Sequence, residues 1–257
     1  MRTSPTEIEP VGPLPPEAAA ELRRALATLR SGGGGLARAM ARIARFAGNA
    51  SAPLFRGVGL TPELLRPAIE SVMERAFDLA IIRQRETARF ASPARATLAA
   101  VASGAAGGLA GLPGFLPDAA FTTLLILRNI AAIARQHGED PVNPDTRRAC
   151  LEVFLLSVPR DEGTMTGDGA DSGYFAARMM LQGGPLIMVA RQAAERFDIV
   201  LSQKFVAQAV PIAGSVGGAL LNAAFLAHFR SVADAHFTVR RLETRYGQSR
   251  VRLSAIR

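Results

Sequence analysis

Two uncharged, glycine-rich apolar stretches constrain this chain more than any other feature of its sequence. The first runs from Thr97 to Pro117 and the second from Phe205 to Ala227. Both contain a glycine, two further residues and then a glycine pair, so small residues recur one helical turn apart. Small residues at this spacing let a second helix backbone approach closely. We therefore predict helix packing at Gly104, Gly107, Gly108, Gly111, Gly214, Gly217 and Gly218.

The remaining pattern is helical. Apolar residues recur at steps of three and four, sustained two-residue alternation is missing, and the chain has no tryptophan and only two tyrosines. Glycines at 138 and 247 fit helix ends, because glycine readily takes the left-handed capping conformation. We predict an all-α, multi-helix bundle that contains the two Gly/Ala-rich apolar modules and a long C-terminal helix, with an apolar helix from Asp118 and another over 145–158.

The chain divides into three parts by composition. Residues 1–16 are rich in proline and are predicted to be disordered, residues 17–247 form a single helical domain, and residues 248–257 form a basic, frayed tail. A flexible Gly- and Asp-rich loop is expected over 161–173. A helix is expected at 16–30, and others at 36–46 and from the Thr61-Pro62-Glu63 start to about residue 88.

Composition favours a protein that meets a membrane without lying wholly inside it. The mean hydropathy is +0.17 and the formal net charge is +8. A single cysteine allows no disulfide, and the first sixteen residues contain no apolar segment of the kind that secretory signals carry. We expect a cytoplasmic, membrane-associated protein.

The depth of any membrane insertion stays open at this point. The second apolar stretch, as a helix at about 1.5 Å per residue, could cross a hydrocarbon core of about 30 Å. However, alanine, glycine and serine supply much of it, and Pro211 interrupts its first part. A shallow or re-entrant hairpin, a true span, and a tightly packed helix pair inside a soluble core all remain possible interpretations.

Six polar residues within or beside the apolar modules form a candidate polar seam. In the C-terminal helix, Asn222, His236 and Arg240 recur at steps that place them on one stripe. Buried charges need partners, so the isolated Asp118 and Arg128 require polar neighbours elsewhere in the fold. Asp118 could alternatively lie in a first helical turn, where a carboxylate is favoured. The predicted seam comprises Asp118, Arg128, Asn222, His236, Arg240 and Glu243; the alternative is a set of buried polar groups that satisfy one another.

Sequence motifs for metal or cofactor chemistry are missing. Three histidines and one cysteine are few for a zinc site, and His228 and His236 are too far apart for a helical ligand pair. The glycine clusters lack the Lys-Ser/Thr of a phosphate-binding loop, and no nucleophile elbow is present. We predict no metal, no cofactor and no catalytic residue, which favours a non-enzymatic role.

Basic residues follow the second apolar module. Arg230, Arg241 and Arg245 are predicted to face the anionic surface of a membrane. Nucleic acid is the rival partner for such a basic surface. It is disfavoured because aromatic residues placed for base stacking are not evident.

The two modules together carry a family resemblance. The first contains Gly104 to Gly114, then Pro117-Asp118 and the helix of Arg128; the second runs from Pro211 through Asn222 and His236 to Gly247. Both blocks, in this order, resemble the EcsC protein family over about residues 66–247. The family takes its name from a protein encoded beside components of an ABC transporter, and it supplies no agreed catalytic residue.

The predicted function follows from the modules and the resemblance. We expect a membrane-associated accessory or scaffold protein that binds lipid, with a transporter subunit and a second copy of the chain as further candidate partners. One alternative is a soluble, hydrolase-like helical enzyme using Asp118, Asn222 and His236, which requires these side chains to converge on one pocket. The second alternative is a basic nucleic-acid-binding protein.

Overall fold

A computed structural model describes residues 12–31, 92–109, 112–157 and 211–256, with isolated helical positions between 174 and 192. The helices predicted at 36–46 and 61–88, and the loop predicted at 161–173, lie outside the described residues.

Six helices have continuous bounds in the described fold, in addition to the helical positions between 174 and 192. Residues 16–31 form α1, followed by α2 (Pro93–Leu109), α3 (Leu112–Gln136), α4 (Pro144–Ser157), α5 (Pro211–Tyr246) and α6 (Gln248–Ile256). No strand occurs among these residues. The prediction of an all-α fold with a long C-terminal helix is confirmed, and α4 matches the helix expected over 145–158.

Glycines close two of these helices as the sequence indicates. Gly138 and Gly247 have φ angles of 83° and 88°, a conformation that a Cβ atom disfavours. After α3, the Gly138 and Glu139 amides donate to the carbonyls of Arg135 and Ala134 at 3.0 Å. These bonds satisfy carbonyl groups that the end of a helix leaves without partners.

Helix α5 is the centre of the bundle. It has 36 residues and packs against α2, α3, α4 and α6. Hydrogen bonds join its Asn222 to Ala100 and Asp118, and its Arg230 to Thr97 and Asn129. Helix α2 therefore runs antiparallel to α5, and α3 runs parallel to it. Apolar side chains fill the space between them, including the rings of Phe154 and Phe229 with centroids 4.7 Å apart.

Residues 12–14 pack against the C-terminal helix α6. Residues 248–256 are helical rather than frayed, and Val251 is fully buried. At the other end, Leu14 is buried within the segment expected to be disordered. The Arg250 guanidinium donates to the carbonyls of Gly12 and Pro13, so α6 is hydrogen-bonded to these two residues.

The apolar modules differ from prediction in where their helices begin. Helix α3 begins at Leu112 and contains Pro117, so Asp118 does not lie in a first turn. The favourable helix dipole therefore does not explain this carboxylate. The described part of the second module, from Pro211 onward, and the polar C-terminal helix form one continuous element.

One stretch of the described residues, Pro117–Gln136, has the length and apolar composition to cross a membrane, with a mean hydropathy of 1.2. It is also 61% buried within the protein, as the core helix of a soluble protein would be. Length and composition alone therefore do not separate these two possibilities.

Helices α2 and α3 approach each other closely at Gly107. A Cβ atom built there would lie 2.7 Å from the Asp118 Cβ and 3.0 Å from its Cγ. Carbon atoms attract at about 3.5–4.0 Å and repel well inside that range. The glycine therefore allows α3 to bring Asp118 against the α2 backbone.

We predict that Gly107→Ala destabilises the protein, because a Cβ attached to one backbone cannot move away from a Cβ attached to another. Overpacking typically costs about 1–3 kcal/mol, and the gain in helix propensity of roughly 1 kcal/mol offsets part of that. The measurement is the free energy of unfolding by denaturant titration. Ala106→Ser, which also adds one heavy atom but at an exposed position of α2, is the control and should change stability by less than about 0.5 kcal/mol. A Gly107→Ala variant more stable than the parent protein by roughly 1 kcal/mol, the full gain in helix propensity, would contradict the close approach.

Candidate functional site

The predicted polar seam divides into two separate clusters. Asn222 contacts Asp118, whereas His236 lies 14 residues further along the same continuous helix. At about 1.5 Å per residue that separation is roughly 21 Å. The convergence of Asp118, Asn222 and His236 that a hydrolase-like site requires is therefore not met.

The first cluster surrounds the carboxylate of Asp118, which is 4% exposed. Its Oδ1 atom accepts hydrogen bonds from the hydroxyl of Ser103, from Thr122 at 3.4 Å and from the Asn222 amide at 2.9 Å. The same amide nitrogen donates to the Ala100 carbonyl at 3.1 Å. Three helices thus supply donors to one buried acceptor, which offsets the cost of taking a charge out of water.

The second cluster is a network of buried polar and charged groups near the end of α5. Arg178 donates from Nη1 to Glu243 Oε2 at 2.9 Å, and its Nε lies 3.6 Å from Glu152 Oε2. His236 lies between Glu152 and Tyr174, with Nε2 3.5 Å from the carboxylate and Nδ1 3.0 Å from the phenol oxygen. All five side chains are nearly inaccessible to solvent.

Hydrogen-bond geometry assigns the proton on the His236 ring. Arg178 Nη1 donates to the Tyr174 hydroxyl oxygen at 3.4 Å, which leaves the hydroxyl proton to bond His236 Nδ1. The ring proton then belongs on Nε2, on the side of Glu152. The network therefore connects Arg178 to Glu152 through Tyr174 and His236.

Burial controls the protonation of this network. Desolvation raises the pKa of Glu152 above its usual value of 4.5, against the opposing charges of Arg178 and Arg240. Desolvation, followed by the charges of the same two arginines, lowers the pKa of His236 well below 6.5. The imidazole is therefore neutral at physiological pH.

A polar pocket of about 420 Å³ lies over this network. Its walls come from α4 and α5, and Gln248 at the start of α6 closes one side. Buried charges form its floor, and exposed residues such as Asp145 and Thr244 form its mouth. Its lining comprises Asp145, Arg148, Glu152, Arg178, Arg240, Glu243, Thr244 and Gln248.

Three floor atoms of the pocket have no hydrogen-bond partner within the described protein. They are Glu152 Oε2, Arg178 Nε and Glu243 Oε1. Their residues are 1%, 3% and 6% exposed. Glu152 Oε2 and Arg178 Nε face each other at 3.6 Å, just beyond hydrogen-bond distance, so these two atoms still attract each other as an ion pair.

The remaining members of the predicted seam lie around these two clusters. Arg240 binds both carboxylate oxygens of Glu139, at 2.7 and 2.8 Å, and also lines the pocket. Arg128 is half-buried on α3 and belongs to neither cluster of hydrogen bonds described above. Cys150 is buried in α4, and burial raises the pKa of its thiol to about 12.

The arginines predicted to face a membrane do not lie together. Arg230 donates to Asn129 and Thr97 between α2 and α3. Arg241, 11 residues further along α5, pairs with Glu21 of α1. Arg245 is exposed near the far end of α5, with its guanidinium 5.5 Å from the centre of the Tyr246 ring. Only Arg230 borders the glycine-rich modules.

Sequence reasoning missed Glu152, Arg178 and Tyr174. A signal was present, because Glu152 and Arg178 are single charges within apolar helical segments, where a charge requires a partner. Among the described residues, no group of three or more His, Cys, Asp and Glu side chains is arranged to hold a metal ion.

We predict that stability falls as the pH drops below about 6.5, because the unfolded chain then protonates His236 while the folded protein keeps it neutral. The loss from this residue should be about 1.4 kcal/mol between pH 8 and pH 5.5. His228, whose pKa burial also lowers, adds to the loss, whereas Glu152 titrates in the opposite sense.

Comparing the pH slopes of the parent protein and His236→Gln isolates this residue. The variant should be less stable at pH 8, because it loses the bond to Tyr174, yet lose about 1.4 kcal/mol less on acidification. Denaturant titration at both pH values measures this difference. Identical slopes would mean that His236 protonates normally in the folded protein.

Comparison with known proteins gives one match. The model of the EcsC protein family matches residues 66–242, which is more than half of the chain and includes both polar clusters except Glu243. No curated protein and no solved structure matches the chain.

Proposed function

The chain belongs to the EcsC protein family, and we propose that it acts as a membrane-associated accessory protein whose glycine-rich end inserts into the lipid bilayer. One observation carries this proposal: near that end, the solvent-facing positions of α2, α3 and α5 are apolar. A helix on the surface of a water-soluble protein normally presents charged and polar residues to solvent.

The exposed apolar side chains occur on all three helices. The large ones are Leu98 and Leu109 of α2, Phe121 of α3, and Val216 and Leu220 of α5. Leu109, Phe121, Val216 and Leu220 lie within about two helical turns of the Asp118–Asn222 contact along their helices. Apolar residues so concentrated mark an interaction surface.

Counted from the glycine-rich end, the first arginines of α2, α3 and α5 are Arg95, Arg128 and Arg230, and they lie at one common level along the bundle. Arg230 contacts Thr97, two residues from Arg95, and Asn129, next to Arg128. Between that level and their glycine-rich ends, α2, α3 and α5 are about 21, 24 and 28 Å long, respectively. Asp118 is the one formal charge within these segments, and it is buried. The apolar depth approaches the roughly 30 Å of a hydrocarbon core.

The level of these arginines has the chemistry expected of a site for lipid headgroups. An open groove of about 500 Å³ lies there, lined by Ala94, Thr97, Leu98, Val101 and Arg230. Apolar walls beside a guanidinium match an acyl chain beside a phosphate, and the net charge of +8 favours anionic lipid. The hydrogen bonds that Asp118 accepts within the protein also support insertion, because the hydrocarbon core of a bilayer offers none.

We predict that the protein floats with protein-free vesicles containing phosphatidylglycerol and that Val216→Asp reduces the bound fraction. An aspartate in the hydrocarbon region costs about 2.5–3.5 kcal/mol, so the partition coefficient should fall at least tenfold. Val142→Asp is the matched control, because Val142 is 49% exposed and Val216 is 59% exposed, and Val142 lies in the turn that follows the opposite end of α3. The control should float like the parent protein.

Other occupants of the apolar end give different results. A second copy of the chain would give no flotation and a dimer by light scattering that Val216→Asp dissociates. A transporter subunit would give binding to native membranes but not to protein-free vesicles. Either result, or equal flotation of Val216→Asp and Val142→Asp, would overturn direct lipid insertion.

The other functions receive less support. Nucleic-acid binding needs a surface of available cations, yet Arg240, Arg241 and Arg250 are bound to Glu139, Glu21 and backbone carbonyls. An enzyme built on Asp118, Asn222 and His236 is disfavoured by their separation.

A further inference from the structure

We propose that the polar pocket at the end of α5 binds a small organic ammonium ion, the protonated form of a primary amine, with Glu243 Oε1 as its main acceptor. This site lies at the end of α5 opposite the apolar modules. The 13 residues between Arg230 and Glu243 separate the two regions by about 20 Å. The proposal therefore does not depend on membrane insertion.

The arginine side chains that line the pocket are already engaged. Arg178 donates from Nη1 to Glu243 Oε2 at 2.9 Å. Arg240 donates from Nε and Nη2 to the two carboxylate oxygens of Glu139, at 2.7 and 2.8 Å. Arg148 also has a contact of its own. The guanidinium groups of the pocket thus serve partners within the protein rather than a bound anion.

Hydrogen-bond acceptors, in contrast, remain open around the cavity. Glu243 is 6% exposed, lines the pocket, and has no hydrogen bond at Oε1. The Thr244 hydroxyl donates its proton to the Arg240 carbonyl at 3.0 Å, so the hydroxyl oxygen can still accept. Asp145 and Gln248 add an exposed carboxylate and an exposed amide carbonyl. These acceptors come from the end of α5, the first turn of α4 and the start of α6.

The two buried carboxylate oxygens without hydrogen bonds are not equivalent. Glu152 Oε2 faces Arg178 Nε at 3.6 Å and His236 Nε2 at 3.5 Å, so groups within the protein already attract it. In Glu243, Arg178 binds the other oxygen, Oε2, and Oε1 has no hydrogen-bond partner. A buried acceptor without a partner is costly, so Glu243 Oε1 is the atom at which a bound donor gains most.

An ammonium group matches this arrangement of acceptors. It carries three N–H donors and no acceptor, so it can bond Glu243 Oε1 and two further oxygens at once. Hydrogen bonds between ionised groups are roughly twice as strong as those between neutral groups, which favours an ammonium over a hydroxyl group or water. The cavity volume of about 420 Å³ falls within the range of small-molecule sites, about 300–1,000 Å³.

The charge of the site also favours a cation. Three arginines and three acids line the cavity, and a fourth acid, Glu139, binds the guanidinium of Arg240. With every carboxylate ionised, these side chains carry one more negative charge than positive charge. A bound carboxylate or phosphate would add to the negative charge beside Asp145 and Glu243, whereas one ammonium ion would balance it.

The test is a calorimetric and ligand-observed NMR titration of the full chain with primary amines of two to six carbons. Each amine is compared with its hydroxyl analogue, which lacks the charge, and with its trimethylammonium analogue, which keeps the charge but has no N–H donor. We expect at least one primary amine to bind with a Kd about tenfold or more below those of both analogues. Absence of any amine with this preference would overturn the proposal.

Two exposed aspartates provide a matched pair of variants. Asp145 lines the pocket, whereas Asp140 lies in the turn before α4, where its Oδ1 accepts from the Val142 amide. Both asparagine substitutions remove one negative charge from the same region of the surface. Asp145→Asn should raise the Kd of the preferred amine about threefold or more, and Asp140→Asn should leave it within about 1.5-fold. Equal effects would place the amine outside the pocket and overturn the proposal.

The main acceptor is tested by Glu243→Gln, which keeps the shape of the side chain but removes its charge. It should raise the Kd of the preferred amine about tenfold or more while leaving that of the hydroxyl analogue within about twofold, because the analogue has no charge. An unchanged amine Kd in the folded variant would overturn the proposal. Should the variant not fold, Thr244→Val replaces it, because this exposed substitution removes one acceptor at constant size. It should raise the amine Kd about threefold, and an unchanged Kd would likewise overturn the proposal.

Discussion

The hydrogen bond from Asn222 to Asp118 lies where three helices of the bundle meet through small residues. Helices α2, α3 and α5 meet there through alanine, glycine and serine, which bury little apolar area per residue. Close backbone approach at Gly107 brings the carboxylate within reach of donors on both neighbouring helices. Charge-assisted hydrogen bonds in a dry environment are stronger than those at a surface, so one carboxylate can define the register of three helices.

The two ends of helix α5 lie in different chemical environments. At its start, the neighbouring helices present apolar surface and satisfy their single carboxylate internally. Towards its end, the same helix carries His236, Arg240 and Glu243, and each makes an ionic or polar contact with another part of the chain. Between these ends, phenylalanines such as Phe225 and Phe229 fill the core. The polarity of the described residues thus changes along the axis of one helix.

Much of the fold was predictable because its signals are local. Helix periodicity and the terminating glycines at 138 and 247 depend on neighbouring residues, and the structure agrees with both. The contact of Asp118 with Asn222 was only partly predictable: a buried charge demands a partner, but the partner is over a hundred residues away. The helical spacing places Asn222 and His236 on one face of α5, yet they belong to different clusters. Periodicity defines the face of a helix, but it does not define which neighbouring helix packs against each turn.

The second polar cluster and the tail show what local reasoning misses. Glu152, Arg178 and Tyr174 join His236 from separate segments, so only the tertiary fold brings them together. Residues 248–256 have little intrinsic amphipathic pattern, yet tertiary contacts through Val251 and Arg250 hold them in a helix. In both cases long-range packing outweighs the local preference.

Burial of Cys150 makes the protein convenient for site-directed labelling. It is the only cysteine in the chain, and with a pKa of about 12 its thiol stays protonated at neutral pH and shielded from reagents. Thiolate is the reactive form, so the native residue should be inert toward maleimides and nitroxide reagents. A cysteine introduced at any exposed position would then be the one reactive thiol, and spin or fluorescent probes could report depth and distance in an otherwise unaltered chain.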